Sequence, residues 1–216
     1  MEKKSLWRYV VELLIVIVGV TIAFWLNTRA EASKEEQTLN NYYKELQSDL
    51  MDDQKFLAKA VKFNETKGEV MVKALELYLQ GTPSRDSVYK YTQEVGNYFF
   101  FEPKDVTYRS MISSGDLKLV ENFPLKRKLI SLYDYYDVID QFQINHLRAL
   151  DDNYFPKYVY MVDYMSDEVV VPIEEDLMIK NYFAFCANEM SQHVGYYQTA
   201  LDRNKQLISA IEEELK

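Results

Sequence analysis

One cysteine, five prolines, six glycines and two histidines are all that 216 residues hold of these types. Each shortage excludes something. A lone Cys186 forbids an intrachain disulfide. A eukaryotic extracellular domain of this size more often carries such bridges, while a bacterial periplasm is compatible with their absence. Few glycines and prolines leave few turn signals, and the long periodic runs between them point to an all-α chain. Zinc and iron sites want three or four converging His, Cys or carboxylate ligands, and His146 and His193 fall in different helices. His146 beside Asp151 or Asp152 is one start on such a site, but a solvated helix surface is the simpler reading. No Gly-rich phosphate loop and no calcium loop is present. Ser113-Ser114-Gly115-Asp116 reads as a helix stop, because no strand precedes it as a nucleophile elbow requires. Cys186 lies on an apolar seam, which suits a buried inert thiol. No metal, no cofactor, no catalytic residue and no enzyme are expected.

Positive charge is also short. Residues 31–216 hold 21 Lys and Arg against 32 Asp and Glu, a net charge of −11. Such a surface does not fit nucleic acid or an anionic membrane as a target. Solubility is the plain explanation.

What the chain does have is one uninterrupted apolar run, residues 9–26 (YVVELLIVIVGVTIAFWL). As a helix it spans roughly 27 Å, close to the hydrocarbon core of a bilayer at about 30 Å. Trp7 and Tyr9 mark one end and Trp25 the other, as an aromatic belt does. Twelve of its residues are Leu, Ile, Val or Phe, which favours insertion by roughly 4 to 7 kcal/mol. Glu12 opposes this but lies near the edge, where a charge costs less than the roughly 3 kcal/mol expected at the centre. Thr28-Arg29-Ala30 resembles a signal cleavage site, yet the run exceeds the roughly 7–15 residues of a signal peptide. An uncleaved signal anchor is therefore expected. Lys3, Lys4 and Arg8 precede it, against Arg29 and Lys34 after it, which places the N-terminus in the cytoplasm. The expected organisation is a cytoplasmic head (1–8), a transmembrane helix (9–26) and an external α-helical domain (27–216).

At 100° per residue, Glu12, Gly19, Ala23 and Ala30 fall within about 20° of one line, with Asn27 about 60° away. Small residues let helix backbones approach, and polar ones bond across the contact. Glu12, Gly19, Ala23 and Asn27 are thus the candidate partner face, for a second copy or another membrane subunit. The opposite face is aliphatic with Thr21, whose hydroxyl can bond its own helix carbonyl. Arg8, one turn before Glu12, can neutralise it.

The anchor has no outer helix breaker. Leu39, Tyr43, Leu46, Leu50, Leu57, Val61, Gly68, Met71, Leu75 and Tyr78 continue at helical spacing, with Asp53 and Asn64 weakening the seam. One helix is predicted over about 6–80, bent near Asn64 or Gly68 and ended by Gly81 and Pro83. Ser84 or Ser87 caps a short helix to about Val95. The apolar residues 98–101 suit a buried loop or a docking patch, burial being the simpler. Asp105 or Thr107 caps a helix that stops at Gly115. Asn122 caps the next, whose seam is Leu125, Leu129, Leu132, Tyr136, Ile139, Phe142 and Leu147, with Pro156 kinking or restarting it. A loop around 166–172 precedes Glu174-Glu175-Asp176, acids suited to a helix start. A last helical region runs from about 174 to 216, interrupted near Phe185. Its seam is Cys186, Met190, Val194, Tyr197, Leu201, Asn204, Ile208, Ile211 and Leu215. Eighteen tyrosines are more than a surface needs, and suit helix interfaces with a wet hydroxyl. The sum is an α-helical bundle continuous with the anchor.

The segments Glu12-Leu13-Leu14-Ile15-Val16, Gly19-Val20-Thr21-Ile22-Ala23-Phe24, Leu26-Asn27 and Tyr43-Lys44-Glu45-Leu46-Gln47-Ser48-Asp49-Leu50 resemble a Bacteroidetes family of small single-pass inner-membrane proteins, a domain of unknown function. Residues 107–117, ending in Ser-Ser-Gly-Asp-Leu, resemble that family's second recurrent segment. The resemblance implies an inner-membrane anchor and a helical periplasmic domain, and it implies no activity. The expected function is that of a non-enzymatic subunit that joins or scaffolds an envelope complex. A ligand-sensing bundle acting through a membrane partner is the alternative. A single-span subunit of an ion-driven motor, using Glu12, ranks below both.

Overall fold

The computed structural model describes residues 3–81, 83–163, 165–166, 168–170 and 177–216. Glu174-Glu175-Asp176 and part of the 166–172 loop lie outside the described residues. The chain is all-α but for one minimal hairpin. Its elements are α1 (Lys3–Leu79), α2 (Arg85–Val95), α3 (Val106–Ser114), a 3₁₀ turn (Asp116–Leu119), α4 (Phe123–Ala149), a π-turn (Leu150–Tyr154), α5 (Phe155–Met161), β1 (Val162–Asp163), β2 (Glu168–Val169) and α6 (Leu177–Glu214).

α1 is one 77-residue helix, about 115 Å long at 1.5 Å per residue. The helix is continuous through Asn64, whose side chain bonds back to the Ala60 carbonyl at 2.7 Å, and through Gly68. The helix ends where Gly81 takes φ +136°, a conformation that favours glycine. Two stretches of α1 differ completely. From Trp7 to Gln37 every residue is exposed, and the helix meets the rim of the bundle where Ala32, Glu35 and Glu36 line a cleft with Lys118, Glu121 and Glu214. From Tyr43 onward one face is buried. Residues 27–37 therefore form a helical stalk of roughly 16 Å between the apolar segment and the bundle.

α6 runs antiparallel to α1 and packs along it more extensively than any other pair. Asn204 reaches the Leu50 carbonyl (2.9 Å), Gln47 meets Glu212 (3.0 Å), and Tyr78 packs on Phe183. α4 closes the three-helix bundle. Ser84, Asn122, Gly115 and Asp105 stand at the helix ends. Ser84 accepts from the Ser87 N–H, and Asn122 from the Leu125 N–H at 3.1 Å. Gly115 ends α3 at φ +77°. Asp105 precedes α3 and makes no side-chain cap; its carboxylate pairs instead with Arg109 at 2.6 Å. Thr107 is not a cap, since its hydroxyl donates to Asp49 of α1.

The kink or restart expected at Pro156 takes the form of a change of helical register, and two other expectations are corrected. The ladder widens into a π-turn, with the Phe155 N–H bonding Leu150, and runs on to Met161. A proline has no N–H to give, so the wider register passes it without a break. α6 is continuous through Phe185. β1 pairs antiparallel with β2, Val162 opposite Val169, a hairpin not read from the sequence.

The core is split. One apolar cluster, around Leu46, Leu50, Leu129, Tyr136, Tyr197 and Ile211, lies on the stalk side. The other, around Met71, Val95, Leu150, Tyr154, Ile179 and Phe183, lies at the far end. Residues 98–101 are not a docking patch: Phe101 is buried and Phe99 and Phe100 are half-buried, with Tyr98 alone exposed. The tyrosines fill helix interfaces as expected. Tyr108 stacks on Tyr133 at 4.1 Å, and Tyr154 donates to the Thr92 carbonyl.

Candidate functional site

Two places in the molecule carry polar groups in unusual settings. The first is the stripe on the apolar segment. Glu12, Gly19, Ala23 and Asn27 are all exposed, and nothing lies within 4 Å of a Cβ built on Gly19. The Arg8 Nε lies 3.3 Å from Glu12 Oε1, the expected one-turn pair. Thr21 donates to the Ile17 carbonyl at 2.8 Å, so the opposite face carries no free polar group at that position. Among the described residues, no other hydrogen bond or ion pair reaches Glu12 or Asn27.

The second place lies between the two apolar clusters, where Asn64, Lys67, Gln143, His146 and His193 are all buried. Helical spacing puts them there. On α4 the seam Leu132, Tyr136, Ile139 continues as Gln143 and His146, not as Phe142 and Leu147. On α6 the positions Cys186, Met190, His193 and Tyr197 form the buried row. His146, expected on a solvated surface, is 1 % exposed, and so is His193.

The layer is ordered from the backbone outward. Gln143 grips Phe101 at both ends, accepting its N–H at 2.8 Å and donating to its carbonyl at 3.1 Å. That fixes which end of the amide is oxygen. Tyr197 then donates its hydroxyl to Gln143 Oε1 at 2.7 Å. The Tyr197 oxygen is left to accept from His193 Nδ1, 3.2 Å away. Nδ1 of His193 therefore carries the proton, and Nε2 holds a buried, unpaired lone pair. That Nε2 has no hydrogen-bond partner, and neither nitrogen of His146 has one. A buried polar group left unpaired costs about 1–3 kcal/mol. Glu189, one turn before His193, brings Oε2 to 3.6 Å from His146 Nδ1.

Aromatic rings wall this group. Phe100 stacks on His193 at 6.0 Å, Phe185 on His146 at 5.9 Å, and Phe142 approaches His193 at 4.7 Å. Lys67 of α1 ends nearby, donating to the Val95 and Asn97 carbonyls. Burial, and then the neighbouring His146 and Lys67, push His193 down to about 3. Burial pushes the Cys186 thiol up to about 11, which suits the inert thiol read from its seam position. Among the described residues, His146, Glu189 and His193 are a group that can hold a metal ion, one ligand atom from each lying within 4.8 Å of the others. Separate helices hid this convergence: His146 comes from α4, Glu189 and His193 from α6. The legible signal was the interruption of two apolar seams by polar residues in register.

Asp53 is also buried, on the stalk-side half of α1. It accepts the Lys104 N–H at 2.8 Å. Burial pushes its carboxyl up to about 7, only partly offset by the Lys104 amide and the Tyr136 hydroxyl. No family model, curated protein or solved structure matches this chain.

Proposed function

We propose that the chain is a non-enzymatic single-span subunit of a bacterial inner membrane, with residues 1–8 in the cytoplasm and 27–216 in the periplasm. In this reading it joins or scaffolds an envelope complex through the stripe and the helical domain. One observation carries the proposal. The apolar segment of α1 is long enough to cross a membrane and none of it is buried, although the same helix is a main column of the bundle. In water that face would expose Ile15 (66 %), Val20 (65 %) and Phe24 (71 %). Burying a side chain of this size is worth about 1.5–3 kcal/mol, and lipid is the cover that suits all sides of one helix.

The continuity of α1 adds a mechanical consequence. No loop separates the apolar segment from the bundle, so a load on the bundle turns or tilts Gly19 and Ala23 directly. The test is purification of the full chain from native membranes in mild detergent, followed by identification of what accompanies it. Stable co-purification of membrane subunits supports the reading. A monomeric chain that arrives alone contradicts it.

A further inference from the structure

The geometry points to a binding site for one divalent transition-metal ion, of the zinc class, at His146, Glu189 and His193 between α4 and α6. Two histidine nitrogens and one carboxylate oxygen are a usual donor set for Zn²⁺ and its neighbours, with further positions left to water. Glu189 and His193 are four residues apart on α6, so their side chains share one face. His146 faces them from α4, its ring 5.4 Å from that of His193. Bonds of about 2.0–2.1 Å in a tetrahedron place ligand atoms roughly 3.4 Å apart. The pair His146 Nδ1 and Glu189 Oε2 stands at 3.6 Å already, and rotation of the side chains closes the remainder of the 4.8 Å spread.

A second, independent observation points the same way. His146 and His193 are each 1 % exposed, and His146 Nδ1, His146 Nε2 and His193 Nε2 have no hydrogen-bond partner. A purely structural histidine pair would be expected to satisfy at least one nitrogen of each ring. Here only His193 Nδ1 is satisfied, and it is the nitrogen a metal would not use. The chain Phe101–Gln143–Tyr197–His193 is the hydrogen-bonded outer shell that metal-ligating histidines usually have, setting the tautomer and aiming Nε2. Tyr197 is thus a positioning residue. Glu189 supplies the negative charge in a layer where Lys67 opposes a cation. Access runs past Phe185, which stacks on His146 and also lines a surface pocket of about 340 Å³ with Ala149, Asn153, Asn181 and Tyr182. A bound ion would tie α4 to α6 across the layer that divides the core.

The test uses the full chain in detergent, stripped with a chelator and purified with a tag free of histidine. Co²⁺ is titrated by visible absorption and Zn²⁺ by calorimetry and thermal melting. The expected result is one ion per chain, and a Tm raised by about 5–10 °C at a hundredfold excess over Kd. Glu189→Gln, isosteric and at the rim, and His193→Gln should each weaken binding about a hundredfold. Tyr197→Phe should weaken it about 10–100-fold while leaving one ion per chain and the cobalt spectrum in place. Absence of saturable binding by the unaltered chain overturns the proposal without reference to any variant. So does an affinity in Glu189→Gln and His193→Gln unchanged from that of the unaltered chain.

Discussion

The stripe on the apolar segment and the layer inside the bundle are both interruptions of an apolar pattern, in opposite surroundings. Glu12, Gly19, Ala23 and Asn27 sit on one helix, exposed, with Arg8 paired to Glu12. Gln143, His146 and His193 come from two helices and are buried, and Gln143 grips the backbone of a third segment at Phe101. A polar residue in the first setting takes no part in the packing of the bundle. In the second it is held by neighbours whose own bonds depend on it. Changes in the layer should therefore cost stability, whereas changes in the stripe should cost only association.

The largest effect is expected at Gln143. Gln143→Ala leaves the Phe101 N–H and carbonyl and the Tyr197 hydroxyl without their partner. Denaturant unfolding of the full chain should show a loss of about 3–5 kcal/mol. A loss under 1 kcal/mol would mean that water replaces the amide readily and that the layer is loosely built.

Next comes the pH dependence of Asp53. Its folded-state value is raised, so its favourable contribution is complete below about 4 and is lost as pH rises through about 7. Asp53→Asn cannot ionise. It should match the parent near pH 4 and exceed it by about 2–4 kcal/mol above pH 8. His193 has the opposite sign: lowered in the fold, it contributes stability that is lost as pH falls from about 6.5 towards 3. The parent's own profile is thus a partial cancellation. The difference between parent and Asp53→Asn isolates the rising limb, and a flat difference across pH 4–8 would refute the assignment.

Gly115→Ala should cost about 1–2 kcal/mol, because φ +77° penalises any Cβ even though nothing stands within 4 Å of it. Smallest of all, Gly19→Leu with Ala23→Leu should move unfolding by less than about 0.5 kcal/mol. A larger shift would show that the stripe belongs to the fold of the bundle, erasing the contrast.

The contrast also separates what the sequence revealed from what it hid. α1, its end at Gly81, the Ser84 and Asn122 caps and the Gly115 stop were legible because each depends on residues within one turn of each other. The placing of Glu12, Gly19 and Ala23 along one line of a single helix was legible for the same reason. The layer was not. Phe142 and Leu147 looked like the natural continuation of the α4 seam by hydrophobicity, but the period set by Leu132, Tyr136 and Ile139 selects Gln143 and His146. Tertiary pairing then supplied what no local pattern contains, the meeting of His146 with Glu189 and His193. The π-turn before Pro156 and the 162–169 hairpin escaped for a related reason, since each depends on bonds between residues whose local preferences are weak.

The central claim is that the exposed apolar segment lies in a membrane and offers Glu12, Gly19 and Ala23 to a protein partner. Photo-crosslinking in native membranes tests it most directly, with the reactive residue placed in turn at Gly19, Ala23, Leu14 and Ile17 of the full chain. Discrete protein adducts from Gly19 and Ala23, with lipid adducts alone from Leu14 and Ile17, are the expected result. Lipid adducts from all four positions, or protein adducts without regard to face, would contradict it.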